Sequence, residues 1–148
     1  MINVKEVMHG MTIVDPDTSI LEVAKIMNHR NIGSILVRKR AGIDVSADKK
    51  HFGIFTERDL VKVVSLNKDL RILQVHEVMN SIISIDHTKD SEDAARLMLI
   101  NNIRRLPVTR NDEIIGIITM QDVVRQKAVQ IASKTYAQEL FLEGSGWG

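Results

Sequence analysis

An internal repeat constrains the fold of this chain more than any other feature of its sequence. The stretch Gly53–Val61 returns as Gly116–Val124, and both copies carry the pattern Gly-Ile-x-Thr-x-x-Asp. The pair Val7-Met8 also returns, 71 residues later, as Val78-Met79. A unit of this size has a sheet too small to bury its own apolar face. We therefore expect two similar units that pack against each other.

Periodicity predicts the order β-α-β-β-α in each copy. In the first copy the predicted strands are 11–14, 34–37 and 52–55, with one helix opening at Thr18 or Ser19 and another over 57–66. In the second copy the predicted strands are 82–85, 106–108 and 114–118, with one helix over 90–101 and another from 120 onward.

The repeat also sets the predicted domain boundaries. The first copy carries eight extra residues between Val37 and Gly53, which predicts an extended surface loop over 38–51. The predicted domains are residues 1–70 and residues 71–142, the second ending in a long helix. A flexible tail is predicted over 143–148, where glycines are frequent.

Composition excludes several classes of function. Hydrophobic residues make up 44% of the chain and charged residues 26%, as in ordinary globular proteins. A net charge of +1 gives no electrostatic reason to expect nucleic acid or a membrane surface as the main partner. There is no signal-peptide pattern and no cysteine, so a cytoplasmic location is expected. The five histidines lack the spacing of a helical metal site, so no metal is predicted.

The repeated Thr and Asp have two interpretations. Thr56 with Asp59, and Thr119 with Asp122, each stand where a strand gives way to a helix. Each pair can cap the helix, worth on the order of 1 kcal/mol. Each pair can also contact a ligand, because an ionised carboxylate accepts hydrogen bonds from two neighbouring hydroxyls at once. The residues alone leave both interpretations open.

Taken together, the repeated motifs resemble a tandem pair of cystathionine-β-synthase (CBS) domains, also called a Bateman module. The resemblance rests on the two Val-Met pairs, on Asn31–Val37 and Asn102–Val108, and on the two Gly-Ile-x-Thr-x-x-Asp stretches. It implies an α+β (α/β) fold of two β-α-β-β-α repeats packed sheet to sheet with pseudo-two-fold symmetry. It also implies a regulatory module without catalysis that binds adenosine-containing ligands such as AMP, ADP or ATP between the copies, and no required cofactor.

The resemblance implies two clefts. In both, the Asp would accept from ribose hydroxyls, the Thr would lie near ribose or phosphate, and isoleucines would sandwich the adenine. Cleft A would combine Glu57 with Thr56, Arg58, Asp59, Ile82, Ile83, Arg104 and Arg105. Cleft B would combine Met120 with Thr12, Ile13, Gly33, Ser34, Thr119, Gln121 and Asp122.

The charge of the two clefts differs in this assignment. Cleft A receives three arginines where cleft B has Gly, Ser and Gln, and a guanidinium matches phosphate bidentately. Cleft A is therefore predicted to bind phosphate better. Arg104 and Arg105 are adjacent on an extended segment, so their side chains should point to opposite sides and only one should face the ligand.

The alternative function is a ligand-independent module for dimerisation or protein interaction. The last helix has an apolar side longer than one small sheet needs, which either packs within the chain or contacts another protein. A homodimer is expected, and a regulated partner protein is a second candidate.

Overall fold

The helices and strands follow the predicted order in both copies. The computed structural model describes residues 2–40 and 47–147, and the predicted loop residues 41–46 lie outside this range. The elements are α1 (Val4–Val7), β1 (Ile13–Val14), α2 (Ile20–Arg30), β2 (Ser34–Arg38), β3 (Phe52–Thr56), α3 (Glu57–Ser65), β4 (Asn80–Ser81), β5 (Ile85–Asp86), α4 (Ser91–Ile100), β6 (Arg105–Arg110), β7 (Glu113–Thr119) and α5 (Met120–Trp147).

The described strands form two sheets of related topology. One has the order β1-β2-β3-β4 and the other has the order β5-β6-β7. In each, the first strand runs parallel to the second and the next pair is antiparallel. The register pairs Ser34 with Thr56 in one sheet and Arg105 with Thr119 in the other. The α+β fold of two packed repeats is thus confirmed.

Local sequence signals explain where the first helix of each copy begins and ends. The Ser19 hydroxyl accepts from the Glu22 N–H at 3.2 Å, and Asp90 caps α4 by accepting from the Asp93 N–H at 2.9 Å. Asn31, the C-cap of α2, has a left-handed backbone with φ of 53°, which asparagine tolerates better than most residues. Its counterpart Asn102 has φ of 52°. The repeat therefore preserves a backbone conformation as well as a hydrophobic pattern.

The opening segment of each copy packs on the other copy. Val4 is fully buried in the core of the second copy, beside Ile85 and Met98. Val75 is likewise buried in the core of the first copy, beside Ile20 and Val63. Each folded core therefore includes the opening segment of the other sequence repeat.

Close backbone approach at two glycines holds these exchanged segments in place. A Cβ atom on Gly116 would lie 2.6 Å from Met8 Sδ and 3.0 Å from the His9 carbonyl oxygen. A Cβ atom on Gly53 would lie 2.6 Å from Met79 Sδ and 3.1 Å from the Asn80 carbonyl oxygen. The two repeated motifs, Val-Met and Gly-Ile, are thus partners in one repeated contact.

The two sheets join through a shared apolar cluster. Leu36, Phe52 and Ile54 of the first sheet are buried together with Ile114 and Ile117 of the second. This cluster is separate from the core inside each copy, so it forms the layer between the sheets. It fixes how the two copies face each other and hence the shape of any cleft between them.

The end of the inserted loop reaches the second copy. The Ile114 N–H donates to the Ala47 carbonyl at 2.8 Å, and the Lys49 N–H donates to the Asp112 carbonyl at 2.8 Å. These bonds cover part of the outer edge of β7, where unpaired backbone groups would otherwise be open to another strand. The described part of the predicted surface loop is therefore also a link between copies.

The last helix is longer than the sequence predicts. It continues to Trp147 and so includes 143–147, which the sequence assigns to a flexible tail. Glycine is about 1 kcal/mol less favourable than alanine inside a helix, so helix propensity does not explain the extension over Gly144 and Gly146. Val124, Val129, Ile131 and Tyr136 are exposed along this helix. Within residues 2–40 and 47–147, no helix has the length and apolar content needed to cross a bilayer.

The glycine contacts generate a stability prediction. Gly116→Ala should lower the free energy of unfolding by about 1–3 kcal/mol, because the new methyl group must displace Met8 and the backbone at His9. Gly53→Ala should cost a similar amount through Met79 and Asn80. Gly10 is the matched control, since a Cβ atom there meets nothing within 4 Å. Its alanine variant should stay within about 0.5 kcal/mol of the wild type in urea unfolding. Equal losses at Gly10 and Gly116 would contradict the exchanged packing.

Candidate functional site

The second Thr-Asp motif forms a closed cap at the start of α5. The Thr119 N–H and the Thr119 hydroxyl both donate to Asp122 Oδ2 at 2.8 Å. The Asp122 N–H donates back to Thr119 Oγ1 at 3.1 Å. Asp122 is only 8% exposed, so these bonds hold a buried carboxylate in one orientation.

The first motif repeats this geometry at the start of α3. The Thr56 N–H and hydroxyl donate to Asp59 Oδ2 at 2.9 Å, and the Asp59 N–H donates to Thr56 Oγ1 at 3.3 Å. In both copies the cap occupies Oδ2 and leaves Oδ1 outside it. The capping interpretation is therefore confirmed, and it is compatible with ligand contact through the second oxygen.

A cavity lies at cleft B, between the copies. It measures about 170 Å³, which is below the roughly 300–1,000 Å³ typical of small-molecule sites. A nucleotide would therefore remain partly exposed or would displace side chains at the rim. The first half of the chain supplies residues 9–12 and 31–34. The second copy supplies Arg105, Ile117, Thr119, Gln121, Asp122 and Arg125.

Most of the residues predicted for cleft B line this cavity. Thr12, Gly33 and Ser34 come from one side, and Thr119, Gln121 and Asp122 come from the other. Ile13 and Met120 are the exceptions, because Ile13 packs against the apolar layer between the sheets and Met120 packs against the core of the second copy. The structure thus brings together here the two parts of the chain that the resemblance assigns to cleft B.

Arg105 lies in a different place from the one the sequence predicts. It was assigned to cleft A, yet its side chain lines the cavity of cleft B. The reason is its position at the start of β6, directly opposite Thr119 in the sheet register. At the same time Arg105 Nη2 lies 2.9 Å from Glu57 Oε1, a residue predicted for cleft A. Arg105 therefore stands between the two clefts.

Two further basic side chains lie close to Asp122. His9 Nε2 lies 3.2 Å from Asp122 Oδ2, and Arg125 Nη1 lies 3.8 Å from Asp122 Oδ1. The Thr12 hydroxyl also accepts from Arg30 Nη1 at 3.1 Å, which places another guanidinium beside this rim. The cavity thus combines one buried carboxylate with several basic groups.

This arrangement removes the reason to rank cleft A above cleft B for phosphate. Of the three arginines assigned to cleft A, Arg58 and Arg104 are exposed and Arg105 lines cleft B. Cleft B, predicted to be neutral, has Arg105 and Arg125 on its wall. Residues at repeated positions do not indicate which side chains reach across the interface between the copies.

The remaining residues predicted for cleft A lie in different surroundings. Ile82 packs against the apolar layer between the sheets, and Ile83 is exposed. The Arg104 carbonyl accepts from the Met120 N–H at 2.8 Å, just as the Gly33 carbonyl accepts from the Glu57 N–H at 2.9 Å. These backbone bonds attach the start of each second helix to its own sheet.

His9 and Arg125 are not among the predicted site residues, and the sequence holds a signal for Arg125 only. Arg125 follows Asp122 by three positions on a helix, which puts the two side chains on one face. His9 follows the repeated Val7-Met8 pair, whose exchange between copies brings it to β7 through the bond from its N–H to the Ile117 carbonyl at 2.9 Å. The position of His9 therefore depends on the exchange of opening segments between the copies, which the repeat does not reveal.

Metal chemistry has no support from the described side chains. No group of three or more His, Asp or Glu residues within them is arranged to hold a metal ion. The acceptors and donors at the cavity suit hydroxyls and anions instead.

A model of one protein family matches the chain twice. The family is described as CBS domain, and the matches cover residues 4–66 and 75–128. These ranges include both Thr-Asp motifs and every residue that lines the cavity.

Similar proteins and structures agree with this match. An uncharacterized protein of Methanopyrus kandleri, MK0525, is 32% identical over 86% of the chain and 63% of its own length. The chain thus spans less than two thirds of the length of this relative and of a second curated relative. The crystal structure of CBS domain NE2398 has a TM-score of 0.75 and 30% identity, covering 86% of this chain and 99% of that one.

A ligand-bound structure is also similar. It is the CBS domain pair of protein MJ0100 in complex with 5′-methylthioadenosine and S-adenosyl-L-methionine. It has a TM-score of 0.71 and 25% identity, covering 86% of this chain and 97% of that chain.

The cap geometry predicts the cost of changing Asp122. Asp122→Ala should lower the free energy of unfolding by about 1–2 kcal/mol, because the Thr119 N–H loses its acceptor. Asp122→Asn should cost less than the alanine variant, because the amide oxygen can still accept. Urea unfolding of both variants measures the difference. An alanine variant as stable as the wild type would show that the cap contributes nothing.

Proposed function

We propose that this chain, which belongs to the CBS domain family, binds an adenosine-containing ligand in cleft B and acts as a regulatory module. CBS domain pairs are regulatory modules, and the finer assignment rests on the cavity. The observation that carries it is the buried Asp122 carboxylate, oriented by Thr119 and flanked by basic side chains. Such a site offers acceptors to hydroxyls and cations to phosphate at opposite ends of one small molecule.

The ribose would be held by Asp122. Its Oδ1 lies outside the cap and faces Arg125 at 3.8 Å, a distance too long for a strong hydrogen bond. Ribose hydroxyls can donate to this oxygen without breaking the three bonds of the cap. Charge-assisted bonds of this kind are roughly twice as strong as neutral ones.

The phosphate would be held by the basic side chains of the cavity. Arg105 and Arg125 can each offer a fork of N–H groups, and His9 can add a further donor. The adenine would lie against apolar wall residues such as Ile32 and Ile117. AMP, ADP and ATP are therefore the candidate ligands, and no further cofactor is required.

The similar structure of MJ0100, which holds two adenosine compounds, supports this ligand class. Cleft A repeats the Thr-Asp cap and is proposed as a second, weaker site. We expect no catalysis by the chain itself, in keeping with the regulatory role proposed for it.

A second copy of the chain is the proposed protein partner. Val61 of α3 and Val124 of α5 occupy equivalent positions in the repeat, and both are exposed. Val64 and Val129 extend the same apolar character along these helices. Covering them in a homodimer would remove apolar area from water on both copies. The hexameric CBS-CP12 protein of cyanobacteria is a similar structure that assembles further.

The ligand proposal predicts a defined calorimetric result. AMP should bind the wild type with a Kd near the micromolar range, about −8 kcal/mol. Asp122→Asn should weaken binding at least about ten-fold, since the amide places a donor near the ribose hydroxyls. Asp93→Asn is the matched control, because Asp93 caps α4 in the same way but does not line the cavity. It should leave affinity unchanged. The proposal fails if AMP, ADP, ATP and adenosine all leave the wild type without a binding signal.

The dimer proposal predicts a change of mass. The wild type should elute as a dimer in size-exclusion chromatography with light scattering, and Val124→Asp should shift it toward the monomer because the carboxylate would be buried against apolar surface. Leu99→Asp, at a position on α4 that is also exposed, is the control and should stay dimeric. A monomeric wild type at all concentrations would contradict the proposal.

A further inference from the structure

We propose that Arg105 is a switch between the two clefts, held by Glu57 in the empty protein and transferred to the ligand phosphate when cleft B is occupied. The inference rests on the proposed function and names the residue that makes cleft B selective for phosphate. It also predicts that phosphate binding in cleft B is communicated to cleft A.

The Arg105–Glu57 contact joins the two copies. Arg105 opens β6 of the second copy, and Glu57 is the first residue of α3 in the first copy. Their Nη2 and Oε1 atoms are 2.9 Å apart, although 48 residues separate them in the chain. Glu57 directly follows Thr56 and stands two residues before Asp59, so its carboxylate belongs to the edge of cleft A.

The two partners differ in burial, and this difference determines which of them a ligand can replace. The Arg105 side chain is 17% exposed and the Glu57 side chain is 62% exposed. The guanidinium is therefore held by packing in the cavity wall, while the carboxylate reaches it from solvent. An ion pair with one such exposed member is worth little, so a phosphate that lies inside the cavity can replace the carboxylate.

Gly33 makes room for this position of Arg105. A Cβ atom at Gly33 would lie 2.7 Å from Arg105 Cζ and 3.1 Å from Glu57 Cδ. The guanidinium thus lies directly over the backbone of a residue that lines the cavity. Because Gly33 lines cleft B, the Arg105 side chain that lies over it can reach ligand atoms there without any movement of β6.

The Arg105–Glu57 pair has no charged counterpart at the repeat-related positions. The repeat offsets that relate the two copies match Arg105 to Ser34 and Glu57 to Met120, and neither of these counterparts carries a charge. The replacement of a carboxylate by phosphate at Arg105 therefore has no equivalent on the other side of the pseudo-two-fold axis. Within residues 2–40 and 47–147, the pair of Arg105 with Glu57 is found at cleft B and has no repeat-related counterpart at cleft A.

Occupation of cleft B has a defined electrostatic consequence. When phosphate takes Arg105, the Glu57 carboxylate loses its partner and remains beside Thr56 and Asp59. Cleft A then becomes more negative and should bind a second phosphate-bearing ligand more weakly. Adenosine lacks the phosphate, so it should leave the pair intact and produce no such coupling.

Calorimetry with AMP and adenosine tests the switch. Glu57→Gln removes the competing charge, so it should raise AMP affinity about two- to five-fold and leave adenosine affinity unchanged. Arg105→Gln should lower AMP affinity about ten-fold or more and again leave adenosine unchanged. Glu92→Gln, an equal change of charge at an exposed position in the first turn of α4, is the control and should alter neither ligand.

The outcomes separate the switch from the function on which it rests. If AMP and adenosine bind but Glu57→Gln leaves AMP affinity unchanged or lowers it, the switch is wrong and the nucleotide site stands. If Arg105→Gln lowers both ligands equally, Arg105 shapes the cavity rather than selecting phosphate, and the switch is again wrong. If the wild type binds no adenosine compound, the proposed function and the switch both fail. Thermal melts of each variant confirm that a lost signal is not a lost fold.

Discussion

The apolar layer between the two sheets is the constraint on which the rest of this structure depends. Each sheet has only three or four strands and carries helices on one face, so its other face must be covered by the second copy. Leu36, Phe52, Ile54, Ile114 and Ile117 provide that cover. Because the sheets meet there, the ends of β3 and β7 and the helix starts that follow them are brought to the interface. The clefts are a consequence of how two small units share one hydrophobic layer.

The exchange of opening segments adds a second constraint. Met8 packs against Gly116 and Met79 packs against Gly53, so each unit is completed by chain from outside its own repeat. This arrangement ties the copies together through backbone contacts as well as side chains. It also carries residues 9–12 to the cavity, which places part of the cavity wall on the first segment of the chain. The stability of the fold and the shape of the site therefore depend on the same contacts.

Sequence reasoning predicts the framework well because the framework is local and repeated. The helix starts at Ser19, Thr56 and Asp90, the turn at Asn31 and the order of strands all follow from capping residues and hydrophobic period. The Thr-Asp caps follow from the same signals. What sequence reasoning does not predict is where long side chains go after the copies meet. Arg105 reaches across the interface to Glu57, and His9 arrives through the exchanged segment. Neither position follows from the repeat, since both depend on geometry between the copies.

The central claim is that the buried carboxylate of Asp122 and the basic side chains around it form a nucleotide site. The most direct test is a structure of the chain crystallised with AMP. The account predicts density in cleft B, with the ribose hydroxyls within hydrogen-bond distance of Asp122 Oδ1 and the phosphate against Arg105 and Arg125. AMP bound with its ribose away from Asp122, or an empty cleft B at saturating AMP, would contradict it.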